Sequence, residues 1–227
     1  ATGAVGREML RVLYERRFPA KTVRALASER SAGTRVPFGP AELTVEALGP
    51  RSFEGTELAL FSAGATVSRE HGPRAAQAGA LVVDNSSAWR MDPDVPLVIP
   101  EVNPHALARR PRGIVANPNC STIVLLTALK PLHDAARIRR IVVATYQAAS
   151  GKGHRARSEL LLQAADCLAG RPPRVDALPG VLAFNLLMDW PFTDDGWTEE
   201  EAKMIAETRK ILEMPDLRMA PTTVRVP

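Results

Sequence analysis

The tripeptide Asn119-Cys120-Ser121 carries the most chemistry in this chain of 227 residues. It sits in Gly113-Ile-Val-Ala-Asn-Pro-Asn-Cys-Ser-Thr122, where a short apolar run ends and a helical pattern begins. Gly113 to Ala116 reads as a strand, Asn117-Pro118-Asn119 as a turn, and Ser121 to Lys130 as a helix with apolar Ile123, Val124, Leu126 and Leu129. A thiol at a helix N-terminus faces backbone N–H groups and the positive end of the helix dipole, which favour the thiolate that attacks carbonyl carbon. The competing reading of Cys120 is a buried structural cysteine, since free cysteine is among the most buried residue types. The preceding Asn-Pro-Asn argues for the nucleophile.

A nucleophile of this kind needs an element that positions a reaction partner. Thr2-Gly-Ala-Val-Gly6 opens the chain with small residues ahead of a helical stripe of Val5, Met9, Val12 and Leu13. Backbone this bare can approach a pyrophosphate, with the following helix aiming its N-terminus at the charge. A plain tight turn before a helix fits the same residues. Thr22 to Ala27, Leu43 to Leu48, Leu58 to Ser62 and Ala80 to Asp84 read as strands among helical stretches, the pattern of a parallel α/β sheet. The last two end in Ser62-Ala63-Gly64-Ala65 and Asn85-Ser86-Ser87, small polar residues where an open sheet binds ligands. After the second strand, a dinucleotide fold places an acid for an NAD ribose or an arginine and hydroxyls for an NADP phosphate. Ser28, Glu29, Arg30 and Ser31 offer both, or form a solvated charged turn.

From Cys120 onward the pattern changes to a helix, a strand over Ile138 to Thr145, a loop at Gly151-Lys-Gly153, a helix to about Leu168 and a Pro-rich stretch. The division predicted is a Rossmann-like α/β dinucleotide-binding domain over 1–119, its first strand missing, followed by an α+β catalytic and dimerisation domain over 120–227. Thr198-Glu-Glu-Glu201 is a capping-box start, after which Lys203, Glu207 and Lys210 share a helix face. That face is either part of a site or an ordinary solvated salt-bridge stripe.

The remaining features bound the function classes. Hydrophobic content of 45% is ordinary for a soluble globular protein, and no apolar run reaches the roughly 20 residues that span a bilayer. A net charge of +4 comes from basic residues scattered among acids without interleaved aromatics, which argues against a nucleic-acid partner and is compatible with acidic, phosphorylated small molecules. Cys120 and Cys167 have no metal-ligand spacing, so no metal is expected, and a reduced, cytoplasmic setting fits both thiols. Cys167, with Leu160 and Ala164 at helical spacing, reads as core.

The segments around Cys120, together with Thr145-Tyr-Gln-Ala-Ala-Ser-Gly-Lys-Gly153, Asp84-Asn-Ser-Ser-Ala-Trp-Arg-Met91, Val98-Ile-Pro-Glu-Val-Asn-Pro104 and Glu207-Thr-Arg-Lys-Ile-Leu212, resemble the aspartate-semialdehyde dehydrogenase family. The match runs in order over nearly the whole length. It implies NADP-dependent reduction of aspartyl phosphate to aspartate semialdehyde, reversible through a cysteine thioester, in the biosynthesis of lysine, threonine and methionine. Cys120 would be the nucleophile and Gln147 would orient the intermediate. Arg90, Asn119 and Lys210 match the phosphate positions, Arg225 the carboxylate fork, and Glu207 the acid that receives the substrate ammonium. Thr2, Gly3, Ala4, Val5, Gly6, Ser28, Arg30, Ser31, Ser62, Gly64, Asn85 and Ser86 would hold NADP. The resemblance also implies a homodimer.

Two features depart from that pattern. The family's general base is a histidine seven residues beyond the position of Arg225, and the sequence stops two residues beyond it. Of the four histidines, His154 lies nearest in sequence as a substitute. The stretch Phe184 to Gly196 lacks the family's Ile-Pro-x-Ile-Asp form, being one residue shorter with its proline moved. The expectation is a family member truncated at both ends. The alternatives are N-acetyl-glutamyl-phosphate reductase, a related cysteine enzyme, and a catalytically silent fragment.

Overall fold

The computed structural model describes residues 1–227 and divides into two compact units, Ala1–Pro118 and Asn119–Pro227. The first unit opens with helix α1 (Ala4–Glu15), followed by strands β1 (Ala25–Ala27), β2 (Arg35–Phe38) and β3 (Ala41–Ala47). They pair in the order β1-β3-β2, with β1 parallel and β2 antiparallel to β3. Leu10 of α1 packs with Ala25, Val36 and Val45 to make the small core of this layer. The apolar stripe expected on α1 is rotated: Gly6 and Leu10 are buried, and Val5 points outward.

Strand β2 was not expected from the sequence. Pro37 cannot donate to a ladder, which demotes such a run, yet β2 is the edge strand where proline is tolerated. It turns into β3 through Gly39 at φ +63°, where an added Cβ would lie 2.1 Å from the Tyr14 ring.

Strands β4 (Leu58–Phe61), β5 (Leu81–Asp84) and β6 (Ile114–Ala116) form a second, all-parallel sheet in chain order, with helix α2 (Ala65–Gln77) crossing between β4 and β5. Val82, Ile114, Val115 and Ala116 are buried, as a parallel sheet covered on its faces requires. The strands expected at 58–62, 80–84 and 113–116 are therefore present, each a residue shorter.

The second unit begins with helix α3 (Cys120–Ala136) and contains strand β7 (Arg140–Ala148), helix α4 (His154–Leu168), helix α5 (Glu199–Ile211) and strand β8 (Arg218–Val226). Helix α3 is longer than expected because it continues through Pro131. Strand β7 also outruns its expected end at Thr145, since parallel pairing with β8 continues through Ala148 and Val226. Ile141, Met204, Leu217 and Met219 form the core between β7, α5 and β8. The opposite face of β7 leaves Val142 and Tyr146 exposed. No helix in either unit is long and apolar enough to cross a membrane.

Two sequence readings are corrected here. Cys167 is only half-buried, and the inward line of α4 sets two polar residues beside Ala156: Glu159 accepts from the N–H groups of Asp176 and Leu178, while Gln163 accepts from Leu182 N at 2.8 Å. The Pro-rich loop brings its unpaired backbone to α4, so buried acceptors stand there beside the apolar cluster of Ala149, Ala156, Leu178 and Leu182. Nor is the Lys203–Glu207–Lys210 face a solvated stripe throughout. Glu207 is 2% exposed, whereas Lys203 pairs with Glu199 near solvent.

The capping box at the start of α5 forms as expected, with Thr198 Oγ1 accepting from Glu201 N and Glu201 accepting from Thr198 N. Thr198 is fully buried and its hydroxyl also meets Thr223 of β8 at 3.3 Å. Thr198→Ala is expected to destabilise the second unit by about 1–2 kcal/mol. Thermal melting of the variant tests this, and an unchanged midpoint would refute it.

Candidate active site

In the first unit, the expected cofactor residues gather at helix N-termini and the carboxyl ends of strands. Gly3 is the N-cap of α1, with no side chain capping the first-turn N–H groups and open space where a Cβ would stand. Gly6 is needed for a different reason: an added Cβ would lie 2.7 Å from the backbone oxygen of Ala1. The loop closes on itself at Gly6 and stays open at Gly3, a shape that admits a pyrophosphate against uncapped N–H groups. Thr2 is half-buried, and Ala4 and Val5 are exposed. Gly64, at φ +89°, likewise begins α2 without a side-chain cap, and Ser62 is exposed beside it. Ser28 and Arg30 are exposed and Ser31 is half-buried, around a single 3-10 turn that follows β1.

Asn85 and Ser86 behave differently. The Ser86 hydroxyl turns inward to Asp84, which is fully buried and also accepts from Ser68 Oγ at 2.7 Å. Trp89 Nε1 donates to the same Ser68 hydroxyl. This network fixes the loop after β5 rather than presenting the Ser86 oxygen to a ligand. Asn85 Oδ1 accepts from Asn117 Nδ2 at 2.6 Å, and Arg90 donates to the carbonyls of Asn117 and Asn85 at 3.0 and 3.1 Å. Arg90 is thereby held across the ends of β5 and β6. Asp84 and Asn117 were not singled out from the sequence, although Asp84 lies in a segment that carried the resemblance.

In the second unit, Cys120 is the first residue of α3 and is exposed, which removes the buried-cysteine reading. Asn119 holds that helix start through three hydrogen bonds. Its Oδ1 accepts from Ser121 N at 2.8 Å, its N–H donates to Glu207 Oε2 at 2.7 Å, and its Nδ2 donates to Glu200 Oε1 at 2.9 Å. Glu200 and Glu207 are two helical turns apart on α5 and both buried, so one face of α5 clamps the residue before the cysteine.

Gln147, near the end of β7, donates from Nε2 to Ser121 Oγ at 2.9 Å and to Glu200 Oε1 at 3.2 Å. Its register partner on β8 is Arg225. Arg225 is 4% exposed, donates from Nε to Asp189 Oδ2 at 2.7 Å and from Nη1 to Ala148 O at 2.9 Å, and lies over the Trp190 ring. Lys152 of the 149–152 turn pairs with the other oxygen of Asp189. Lys210 is half-buried, one turn beyond Glu207.

The second unit thus links Asn119, Gln147 and Glu207 through Glu200 and Ser121 into one hydrogen-bonded group that flanks Cys120, with Arg225 beside Gln147 in the sheet. Arg90 and the cofactor residues belong to the first unit. His154 starts α4 after Gly153, exposed, and its Nδ1 meets Ser158 Oγ at 3.4 Å. Glu200, Ser121 and Asp189 were given no role from the sequence, although Ser121 stood beside Cys120 in the opening tripeptide and Glu200 inside the Thr198–Glu201 capping motif.

Comparison with known proteins adds the following. Residues 1–110 match the family model described as semialdehyde dehydrogenase, NAD binding domain, and residues 129–227 match the semialdehyde dehydrogenase dimerisation domain. The aspartate-semialdehyde dehydrogenase of Aquifex aeolicus is 50% identical over all of this chain and 68% of its own length. That of Legionella pneumophila is 51% identical over all of this chain and 66% of its own length. Among solved structures, aspartate semialdehyde dehydrogenase II from Vibrio cholerae is 47% identical with a TM-score of 0.97, and covers all of this chain and 68% of that one. A second structure of the same Vibrio enzyme is a complex with ASA. The chain therefore spans about two thirds of the length of these relatives.

Proposed function

The chain belongs to the aspartate-semialdehyde dehydrogenase family, and from that premise we propose that the protein reduces aspartyl phosphate to aspartate semialdehyde reversibly, with NADP, through a thioester on Cys120. The observation that carries this reading is the exposed Cys120 at the start of α3, with Asn119 pinned behind it and the Gln147 amide anchored on the next residue. The thiol stands in solvent at the head of a 17-residue helix, open to an approaching carbonyl carbon.

In the aldehyde direction, Cys120 Sγ attacks the carbonyl carbon and forms a thiohemiacetal, whose oxidation leaves a thioester on the same sulfur. Bound NADP supplies the hydride acceptor. Phosphate then attacks the thioester carbon, the C–S bond breaks, and the acyl phosphate leaves with Cys120 restored. Gln147 orients the intermediate. Arg90, Asn119 and Lys210 receive the phosphate, Arg225 the substrate carboxylate and Glu207 its ammonium. The uncapped N–H groups at Thr2 to Gly6 would take the pyrophosphate of NADP, and Ser28, Arg30 and Ser31 its ribose phosphate, with Ser62, Gly64 and the backbone of Asn85 and Ser86 along the groove. Domains at 1–119 and 120–227 divide cofactor binding from chemistry and dimerisation.

The protein acts in this reading as a cytoplasmic homodimer in the biosynthesis of lysine, threonine and methionine. The dimerisation-domain match and the exposed Val142 and Tyr146 on the open face of β7 support the homodimer.

Phosphate-dependent reduction of NADP⁺ by the full-length protein tests the assignment, with aspartate semialdehyde and N-acetylglutamate semialdehyde compared. Turnover of the aspartate compound, faster with NADP⁺ than NAD⁺, is expected. Equal or faster turnover of the N-acetylglutamate compound would refute the substrate, and equal rates with NAD⁺ the cofactor.

A further inference from the structure

Gln147 can present either end of its amide to a reacting group, and the two ends have opposite hydrogen-bonding character. What faces Glu200 decides which. A carboxylate only accepts, so the Gln147 NH2 must point to Glu200 Oε1, as it does at 3.2 Å, with Ser121 Oγ taking the second N–H at 2.9 Å. The Gln147 carbonyl oxygen, which accepts no hydrogen bond from the chain, is left as the exposed end of a half-buried side chain.

Glu200 is itself well fixed. It is 6% exposed in the first turn of α5, where a negative charge meets the positive end of the helix dipole, and the same Oε1 accepts from Asn119 Nδ2. One oxygen atom therefore ties together the residue before Cys120 and the amide beside it. We propose that Glu200 is a positioning residue that locks the Gln147 amide with its carbonyl oxygen outward, so that Gln147 serves the intermediate as an acceptor and not as a donor. The inference rests on the assignment of Cys120 and Gln147 to the reaction itself.

Kinetics of the full-length protein with aspartate semialdehyde, NADP⁺ and phosphate test it through a double-mutant cycle of Glu200→Gln and Gln147→Ala. Glu200→Gln, which can offer its own NH2 and let Gln147 turn over, is expected to lower kcat about 10- to 100-fold with little change in KM. In the Gln147→Ala background the same change is expected to cost less than about threefold, because the residue it acts through is gone. An equal loss in both backgrounds, or no loss in the first, overturns the proposal.

Should Glu200→Gln fail to fold, the exchanged pair Gln147→Glu with Glu200→Gln decides. It keeps one amide and one carboxylate in the same place and leaves an acceptor at position 147. Activity at least about tenfold above that of Gln147→Glu alone is expected, and no recovery overturns the proposal. Failure of the unsubstituted protein to turn over aspartate semialdehyde would instead defeat the functional assignment, and this inference with it.

Discussion

Cys120→Ala in the full-length protein is expected to abolish phosphate-dependent reduction of NADP⁺, a loss of roughly a million-fold if the sulfur is the nucleophile. The same change is expected to leave stability within about 0.5 kcal/mol, because the side chain is exposed and contributes to no apolar core. Those two outcomes separate chemistry from folding in one variant. Cys120→Ser sharpens the test, since a hydroxyl keeps the shape but is a far weaker nucleophile than sulfur. Steady-state kinetics and thermal melting on the same samples give both readouts. A Cys120→Ala protein that still turns over the semialdehyde would remove the thioester, and with it every role assigned to Gln147 and Asn119. Loss of activity together with a large fall in melting temperature would point to a structural cysteine, contrary to its exposure.

The frame that presents Cys120 was legible in the sequence because its signals are local. Asn-Pro-Asn stops a strand and starts a helix within three residues, and Thr198 with Glu201 forms its cap within one turn. The parallel strands β4, β5 and β6 showed as short apolar runs bounded by small polar or turn residues, and β6, buried at every position, is the clearest of them. Strand β2 was hidden by Pro37, whose cost depends on whether the strand is central or at an edge, a fact about neighbours. The same holds for the length of β7, set by its pairing with β8 more than 70 residues away.

The polar framework of the candidate site was less legible, for a related reason. Glu200 and Glu207 look like ordinary acids of a charged helix until Asn119, more than 80 residues earlier, brings its N–H and amide to them. Burial converts a common residue into a committed hydrogen-bond acceptor, and burial is a property of the fold. Cys167 shows the converse: Leu160 at the same helical spacing does pack on an apolar cluster, but Cys167 stays half-buried where α4 turns Glu159 and Gln163 inward to satisfy a loop backbone. Buried backbone N–H groups outrank apolar periodicity when no strand or helix satisfies them.

Asp189→Ala is expected to be the most destabilising substitution in the second unit. The Asp189 carboxylate is completely inaccessible and Arg225 nearly so, and the pair is made by a charge-assisted hydrogen bond of 2.7 Å. Removing the carboxylate leaves a buried guanidinium with the Ala148 carbonyl and the Trp190 face but no counter-charge. Breaking one side of a buried pair costs about 3–5 kcal/mol, because the remaining ion has already lost its water. Lys152, more than a third exposed, can return to solvent and contributes little to that cost. The double variant Asp189→Ala with Arg225→Met is therefore expected to recover part of the loss, since it removes the stranded cation as well. Denaturant unfolding of the full-length protein measures all three proteins. A loss below about 1 kcal/mol in Asp189→Ala would show that Arg225 finds another anion or water, and that Asp189 does not hold it. The pairing also bears on function: an arginine already fixed through Nε and Nη1 has little freedom to swing, so its remaining donors meet a carboxylate without further loss of side-chain entropy. Asp189→Asn, which keeps an acceptor for Nε but drops the charge, is expected to raise KM for aspartate semialdehyde more than it lowers kcat, because it loosens a group that binds ground state and transition state alike.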